Sequence, residues 1–285
     1  MKKKLIAGLL VGAMAVSLLG CGASKTEEAP AAGDSAAEET AEAEPVTLNV
    51  FAAASMTETL TEIQEMYKDV APNVTLVFNF DSSGTLKTQI QEGADCDLFI
   101  SAAQKQMNQL DKDADPEVNT EELDYVLEGT RVNLLENKVV LAVPDGNPKD
   151  IESFEDLGTD RLSLLALGNE DVPVGQYSTE ILTNLGILDS LKAEGKITYG
   201  SNVKEVTTQV SEAAADAGII YATDAFSAGL TVVDQAEGDL CKQVIYPAAV
   251  MNISKNPEAA KEFLAYLQTD TCMQVFEAVG FTAAE

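Results

Sequence analysis

The sequence predicts an α/β protein with two lobes, each a doubly wound sheet with helices on both faces. Three observations carry that prediction. Short apolar runs of strand length alternate with stretches of helical spacing through the body of the chain, the pattern of strands joined by crossover helices. The alternation falls into two blocks, about 46–134 and about 135–246. The chain has 285 residues, 46% of them apolar and 23% charged, enough for one large domain or two ordinary ones with packed cores.

The elements follow in order. Val46–Ala53 (VTLNVFAA) reads as a strand, and Met56, Leu60, Ile63, Met66 and Tyr67 give helical spacing over 56–67. Val74–Phe80 is a second strand, Thr85–Gln91 begins a helix and Leu98–Ile100 is a short third strand. The second block reads as strands at 138–143, 162–167 and 197–199, with helices at 175–185 and 203–217. Strands at 218–222, 230–233 and 242–250 follow, then a helix at 257–267 and a closing Gly280-Phe281. No internal repeat is visible.

The N-terminus reads as an address. Lys2, Lys3 and Lys4 precede an apolar run from Leu5 to Leu19, too short for a span of about 20 residues and suited to a signal peptide over 1–20. The run ends Leu18-Leu19-Gly20-Cys21, which resembles the bacterial lipobox and predicts lipidation at Cys21. Leu19 departs mildly from the small residue commoner at that position. The segment 22–45 holds eight Ala and six Glu but no Leu, Ile, Val or aromatic residue, so it cannot bury a core. It reads as an acidic, disordered tether, with 21–45 linking the membrane to a folded body that starts at Val46. Its coil would span roughly 25–30 Å.

Composition excludes several functions. The chain has 18 Lys+Arg against 47 Asp+Glu, a formal charge of −29, and no His or Trp. Arg131 and Arg161 are the only arginines, so a phosphate-neutralising surface for nucleic acid is absent. Without His there is no Ser-His-Asp triad and no imidazole metal ligand. An acidic body would also repel an anion at long range, which makes an anionic ligand the surprising answer. Cys96, Cys241 and Cys272 follow Cys21, an odd number; a Cys241–Cys272 bridge and three free thiols are both open.

Four loops place small or polar residues at helix starts directly after strands. The first is 52–58, where Ser55 and Glu58 have capping-box spacing that plain capping also explains. The second is Asp81-Ser82-Ser83-Gly84-Thr85, whose small residues let backbone N–H groups approach a ligand, or form a polar turn. The third is 168–177, with Pro173 at a helix start and Gly175 behind it. The fourth is 201–205, where Asn202 and Glu205 repeat the capping-box spacing. Tyr221 ends a strand, where a tyrosine belongs to a core or rim more often than to a site. Together these loops offer hydroxyls, N–H groups and helix N-termini, and none pairs a nucleophile with a base. That chemistry suits a fully ionised oxyanion, which needs many donors and no carboxylate acceptor. A Ser-Lys hydrolase would have to use Lys87, four residues after Ser83.

The segments AAAS (52–55), SSGTL (82–86), DLFISA (97–102), DVPVGQY (171–177) and GIIYATDA (218–225) resemble, in order, the molybdate-binding proteins of ABC transporters. YPAAV (246–250) and GF (280–281) agree, so the resemblance covers 46–285. It implies a two-lobed periplasmic-binding-protein type II fold, each lobe a doubly wound mixed sheet flanked by helices, with a hinge of two crossovers. Lobe 1 would take 46–134 plus 247–285, and lobe 2 would take 135–246. The ligand positions that carry over are Ser55 and Ser83 from the first lobe, the backbone of Val174 and Val203 from the second, and the Tyr221 hydroxyl. Val174 replaces a commoner Ala, harmless where only its N–H is used. Asp81 adds a carboxylate beside the serine loop and is expected to face outward.

The function implied is an extracytoplasmic lipoprotein, monomeric and lipid-anchored to the membrane, that passes molybdate or tungstate to an ABC permease. It would need no cofactor, hold no metal cation and be no enzyme. Sulfate or thiosulfate is the alternative ligand, because cavity size is not legible in a sequence. An iron-binding protein would need Tyr, His or carboxylate ligands, and the chain has no His and no adjacent Tyr pair.

Overall fold

The computed structural model describes residues 44–284. The expected signal peptide, Cys21 and the tether up to residue 43 lie outside the described residues. Among the described residues no helix is long and apolar enough to cross a membrane.

Two mixed sheets organise the chain. The first contains β1 (Val46–Ala53), β2 (Val74–Asp81), β3 (Leu98–Ile100), β4 (Val132–Asn137), β10 (Val244–Val250) and β11 (Thr282–Ala283), in the order β11-β4-β10-β3-β1-β2. The second contains β5 (Val139–Val143), β6 (Leu165–Gly168), β7 (Ile197–Gly200), β8 (Ala217–Tyr221) and β9 (Thr231–Gln235), in the order β7-β6-β8-β5-β9. In the first sheet β1 runs parallel to β2 and β3, and β10 is antiparallel to both β3 and β4. In the second, β6 is parallel to β7 and β8, and β5 is antiparallel to β8 and β9.

Helices cover both sheets. They are α1 (Thr57–Val70), α2 (Ser83–Gln91), α3 (Gln104–Asn108), α4 (Pro173–Asn184), α5 (Leu188–Ala193), α6 (Val203–Ser211), α7 (Ala222–Ala228), α8 (Pro257–Leu267) and α9 (Asp270–Ala278). Their faces follow from spacing. In α1 the buried residues are Thr59, Leu60, Ile63 and Tyr67, a stripe along one side. Helix α8 starts on Pro257, whose missing N–H has no intrahelical role at that position. Helix α7 stops at Gly229, which takes φ 63° and so closes the helix in a left-handed cap. Because β1, β5 and β8 are covered on both faces, they are apolar nearly throughout, and every residue of β5 is buried.

The chain passes between the sheets twice, at Lys138 between β4 and β5, and over 236–243 between β9 and β10. The expected divisions at 134/135 and 246/247 fall inside β4 and β10. The first sheet thus reaches three residues further at each crossing. Several other expectations shift. The helix expected over 203–217 ends at Ser211, because the chain must reverse before β8: Ala213 takes φ 53°, and the Asp216 N–H donates to the Leu164 carbonyl at 2.9 Å. Helix α4 starts two residues earlier than expected, on Pro173, and α2 on Ser83. Three thiols are free, with Cys96 and Cys272 buried and Cys241 half-buried, so no Cys241–Cys272 bridge forms.

Candidate functional site

Six loops at strand ends meet between the two sheets. They surround a small cavity lined by Ala53, Ala54, Ser55, Asp81, Ser82, Ser83, Ala102, Val172, Pro173, Val174, Val203 and Tyr221. All five residues singled out in the sequence, Ser55, Ser83, Val174, Val203 and Tyr221, line this one space.

Ser55 sits in a 3-10 turn, Ala54–Met56, between β1 and α1, and is buried. Its Oγ shares a 2.8 Å hydrogen bond with Tyr246 Oη, which also accepts from Asn137 Nδ2 at 3.2 Å. With Asn137 supplying a proton to Tyr246, the phenol can donate to Ser55 and leave the serine's own proton for the cavity. Ser83 is the first residue of α2 and is fully buried. Its Oγ accepts the Ala102 N–H at 2.9 Å, so its O–H too is available as a donor. Ser82 is the N-cap, accepting from the Thr85 N–H at 3.1 Å.

Tyr221 is 1% exposed, and its hydroxyl has no hydrogen-bond partner among the described residues. An unpartnered buried hydroxyl costs about 1–3 kcal/mol, so natural structures rarely leave one without a reason. Burial pushes its pKa well above the usual phenol range, with neighbouring Tyr246, Tyr177 and Asp224 adding to the effect. Burial does the same to Tyr246. Both phenols therefore stay protonated and act as donors.

Val174 is the second residue of α4 and Val203 the first of α6. The first N–H groups of a helix have no intrahelical acceptor, so these amides are free for a ligand and carry the positive end of the helix dipole. Gly175 lets α4 start this close to β6, since a Cβ there would run into the carbonyls of Gly168 and Asn169. Asn202 caps α6, its side chain accepting from the Glu205 N–H at 3.1 Å.

Charge is kept off the ligand positions. Lys204, next to Val203, lies 2.7 Å from Glu58 Oε2 and 3.1 Å from Asp224 Oδ1. Burial opposes its charge, but the two carboxylates outweigh burial and its pKa rises. Burial pushes the Asp224 carboxyl up to about 6, against the pull of Lys204. Arg131 is tied to Asp111 at 2.7 Å and Arg161 to Asp156 at 3.1 Å. Asp81 is half-buried and lines the cavity rather than facing bulk water. Its Oδ1 accepts from the Ser82 N–H at 2.7 Å and from Asn202 Nδ2 at 3.3 Å. Lys87 is not among the lining residues, which leaves Ser83 without the base a hydrolase would need.

Sequence reasoning missed Tyr246 and Asn137 as supports of Ser55, and the Glu58–Lys204–Asp224 group. Tyr246 was visible only as the first letter of YPAAV. Its partners are far away in sequence, and no local spacing marks them.

Two lobes meeting over a small cavity, whose hydroxyls and helix N-termini are neutral donors with the Asp81 carboxylate at their side, define a ligand-binding protein of the cleft type. The family model of bacterial extracellular solute-binding proteins matches residues 48–282, and the chain belongs to that family. It binds a solute and is not an enzyme. It is 38% identical over 240 residues to YvgL of Bacillus subtilis, named provisionally as an ABC transporter substrate-binding lipoprotein, covering 84% of this chain and 87% of that one. It is 34% identical to the molybdate-binding protein ModA of Haemophilus influenzae, covering 83% of this chain and 90% of the relative. The periplasmic molybdate-binding protein of Azotobacter vinelandii has the same fold, with a TM-score of 0.72 at 23% identity over 84% of this chain and 100% of that one.

Proposed function

We propose that the protein captures molybdate, or the isosteric tungstate, in this cavity and delivers it to an ABC permease while held to the membrane by a lipid on Cys21. The observation that carries the reading is the Tyr221 hydroxyl, buried, protonated and without a partner among the described residues, lining the same cavity as two serines whose protons can be left free by their own partners. A tetrahedral dianion supplies acceptors for all three, and for the amides of Val174 and Val203. Dipoles in a desolvated cleft then replace a counter-charge. Lobe 1 (46–134 plus 247–285) and lobe 2 (135–246), or a division three residues outward at each crossing, would close about the two crossovers as a monomer.

A thermal-shift panel tests the ligand. Molybdate and tungstate at about 1,000 times their dissociation constant raise stability by about 4 kcal/mol, and sulfate, thiosulfate and phosphate do less. Stabilisation by sulfate and not by molybdate overturns the reading. Membrane fractionation of Cys21→Ala tests the anchor: the variant moves to the soluble fraction, and a variant still membrane-bound contradicts it.

A further inference from the structure

We propose that Gly84 sets the closure depth of the cleft, its missing side chain being the space into which the opposite lobe's backbone descends. The inference rests on the ligand reading above and concerns the residue that makes closure possible.

Gly84 is the second residue of α2, beside Ser83, and is buried. Its φ is not in the left-handed region, so the backbone itself does not call for glycine. A Cβ built there would overlap the Asp171 carbonyl oxygen and come 2.9 Å from both the Asp171 carbonyl carbon and its Cβ. Asp171 belongs to the second lobe, in the loop before α4. Of the glycines whose Cβ would meet a neighbour, the others, at 158, 168, 175, 200 and 218, meet atoms of their own lobe. Gly84 is thus the one glycine, among the described residues, whose bareness serves the contact between lobes.

The same residue bonds across the cleft. Its N–H donates to the Asp171 carbonyl at 3.1 Å. At that helix position no intrahelical acceptor exists, so the amide's only protein partner comes from the other lobe. Two further bonds cross nearby, Lys204 to Glu58 and Asn202 to Asp81. Side chains of those lengths adjust to a small change in lobe separation. A backbone carbonyl resting on an α-carbon does not, so Gly84 and Asp171 form the hard stop.

The test compares the wild-type chain with Gly84→Ala, using molybdate calorimetry and amide hydrogen exchange on the full chain. Without ligand the lobes can stand apart, which relieves the overlap, and alanine is the better helix former, so the ligand-free variant unfolds no earlier than wild type. The Ala102 amide, which donates to Ser83 Oγ, keeps its protection and reports that the serine is still in place. Apparent affinity scales with the fraction of molecules able to close; if that fraction falls to about one in a hundred, molybdate binds about 100-fold more weakly. Wild type binding tightly while Gly84→Ala binds equally tightly overturns this inference alone. Wild type failing to bind molybdate overturns the ligand reading and this inference with it. Should the variant fail to fold, exchange on wild type decides: the Gly84 amide gains protection on adding molybdate, and no gain overturns the inference.

Discussion

Tyr221 makes the sharpest statement at the scale of single residues. Its hydroxyl is a liability without a ligand and an asset with one. Tyr221→Phe therefore weakens molybdate binding by about 1–3 kcal/mol while leaving the empty protein no less stable. Ser83→Ala weakens binding by a similar amount, and it also strands the Ala102 N–H, so it destabilises the empty protein too. Calorimetry paired with urea unfolding separates the two patterns; equal effects of both variants on the empty protein contradict the assignment. Asp224 gives a pH prediction. Its carboxyl titrates near 6 folded against 3.8 in its ordinary state, because burial penalises the charge. The folded protein holds that proton longer, so this group's contribution to stability falls as pH rises from about 4 to 6 and stays lost above 6. The loss is on the order of 3 kcal/mol. Asp224→Asn removes that decline, and identical stability–pH slopes for variant and wild type over this range refute it.

At the scale of elements, helix N-termini do the positioning. Helices α2, α4 and α6 each begin at the cavity, and two of them start on a side-chain cap, Ser82 and Asn202. Asn202→Ala costs about 1 kcal/mol of stability through the lost cap. It also weakens ligand binding, because the same side chain reaches Asp81 in the other lobe. Stability measured by urea unfolding that stays unchanged contradicts the capping role. These elements were legible in sequence where the signal is local. VTLNVFAA and PEAAKEFLAYL give β1 and α8 with the bounds the structure shows. Where tertiary pairing decides, the sequence misleads. The alanines 213–215 favour helix, yet the chain turns at Ala213 and the Asp216 N–H bonds to Leu164, which leads it into β8. β4 was missed because its apolar residues are interleaved with Asn133, Glu136 and Asn137. The short helices α3 and α5 carry too few residues for a period to show.

For the whole molecule, net charge and site chemistry separate. The body from 46 onward holds 40 acidic and 14 basic residues, and this acidity coats the surface while uncharged groups supply the ligand positions. Long-range repulsion therefore slows capture of a dianion without setting its affinity. Raising ionic strength from about 0.01 to 0.15 M speeds molybdate association in stopped-flow mixing, as the screening length falls from about 30 to 8 Å. Association that slows with salt would mean that the helix N-termini at the cavity outweigh the acidic surface at long range. The neutral donor set was legible in the four loops, because each lies at a strand end before a helix. Their convergence on one cavity was not, since Ser55 and Tyr221 come from different sheets. The most direct test of a dianion held by neutral donors is calorimetric titration of the folded body with molybdate at neutral pH. One molybdate per chain, bound more tightly than sulfate and lost in a Tyr221→Phe, Ser83→Ala double variant, is the predicted result. No heat with molybdate, or full affinity in the double variant, would contradict it.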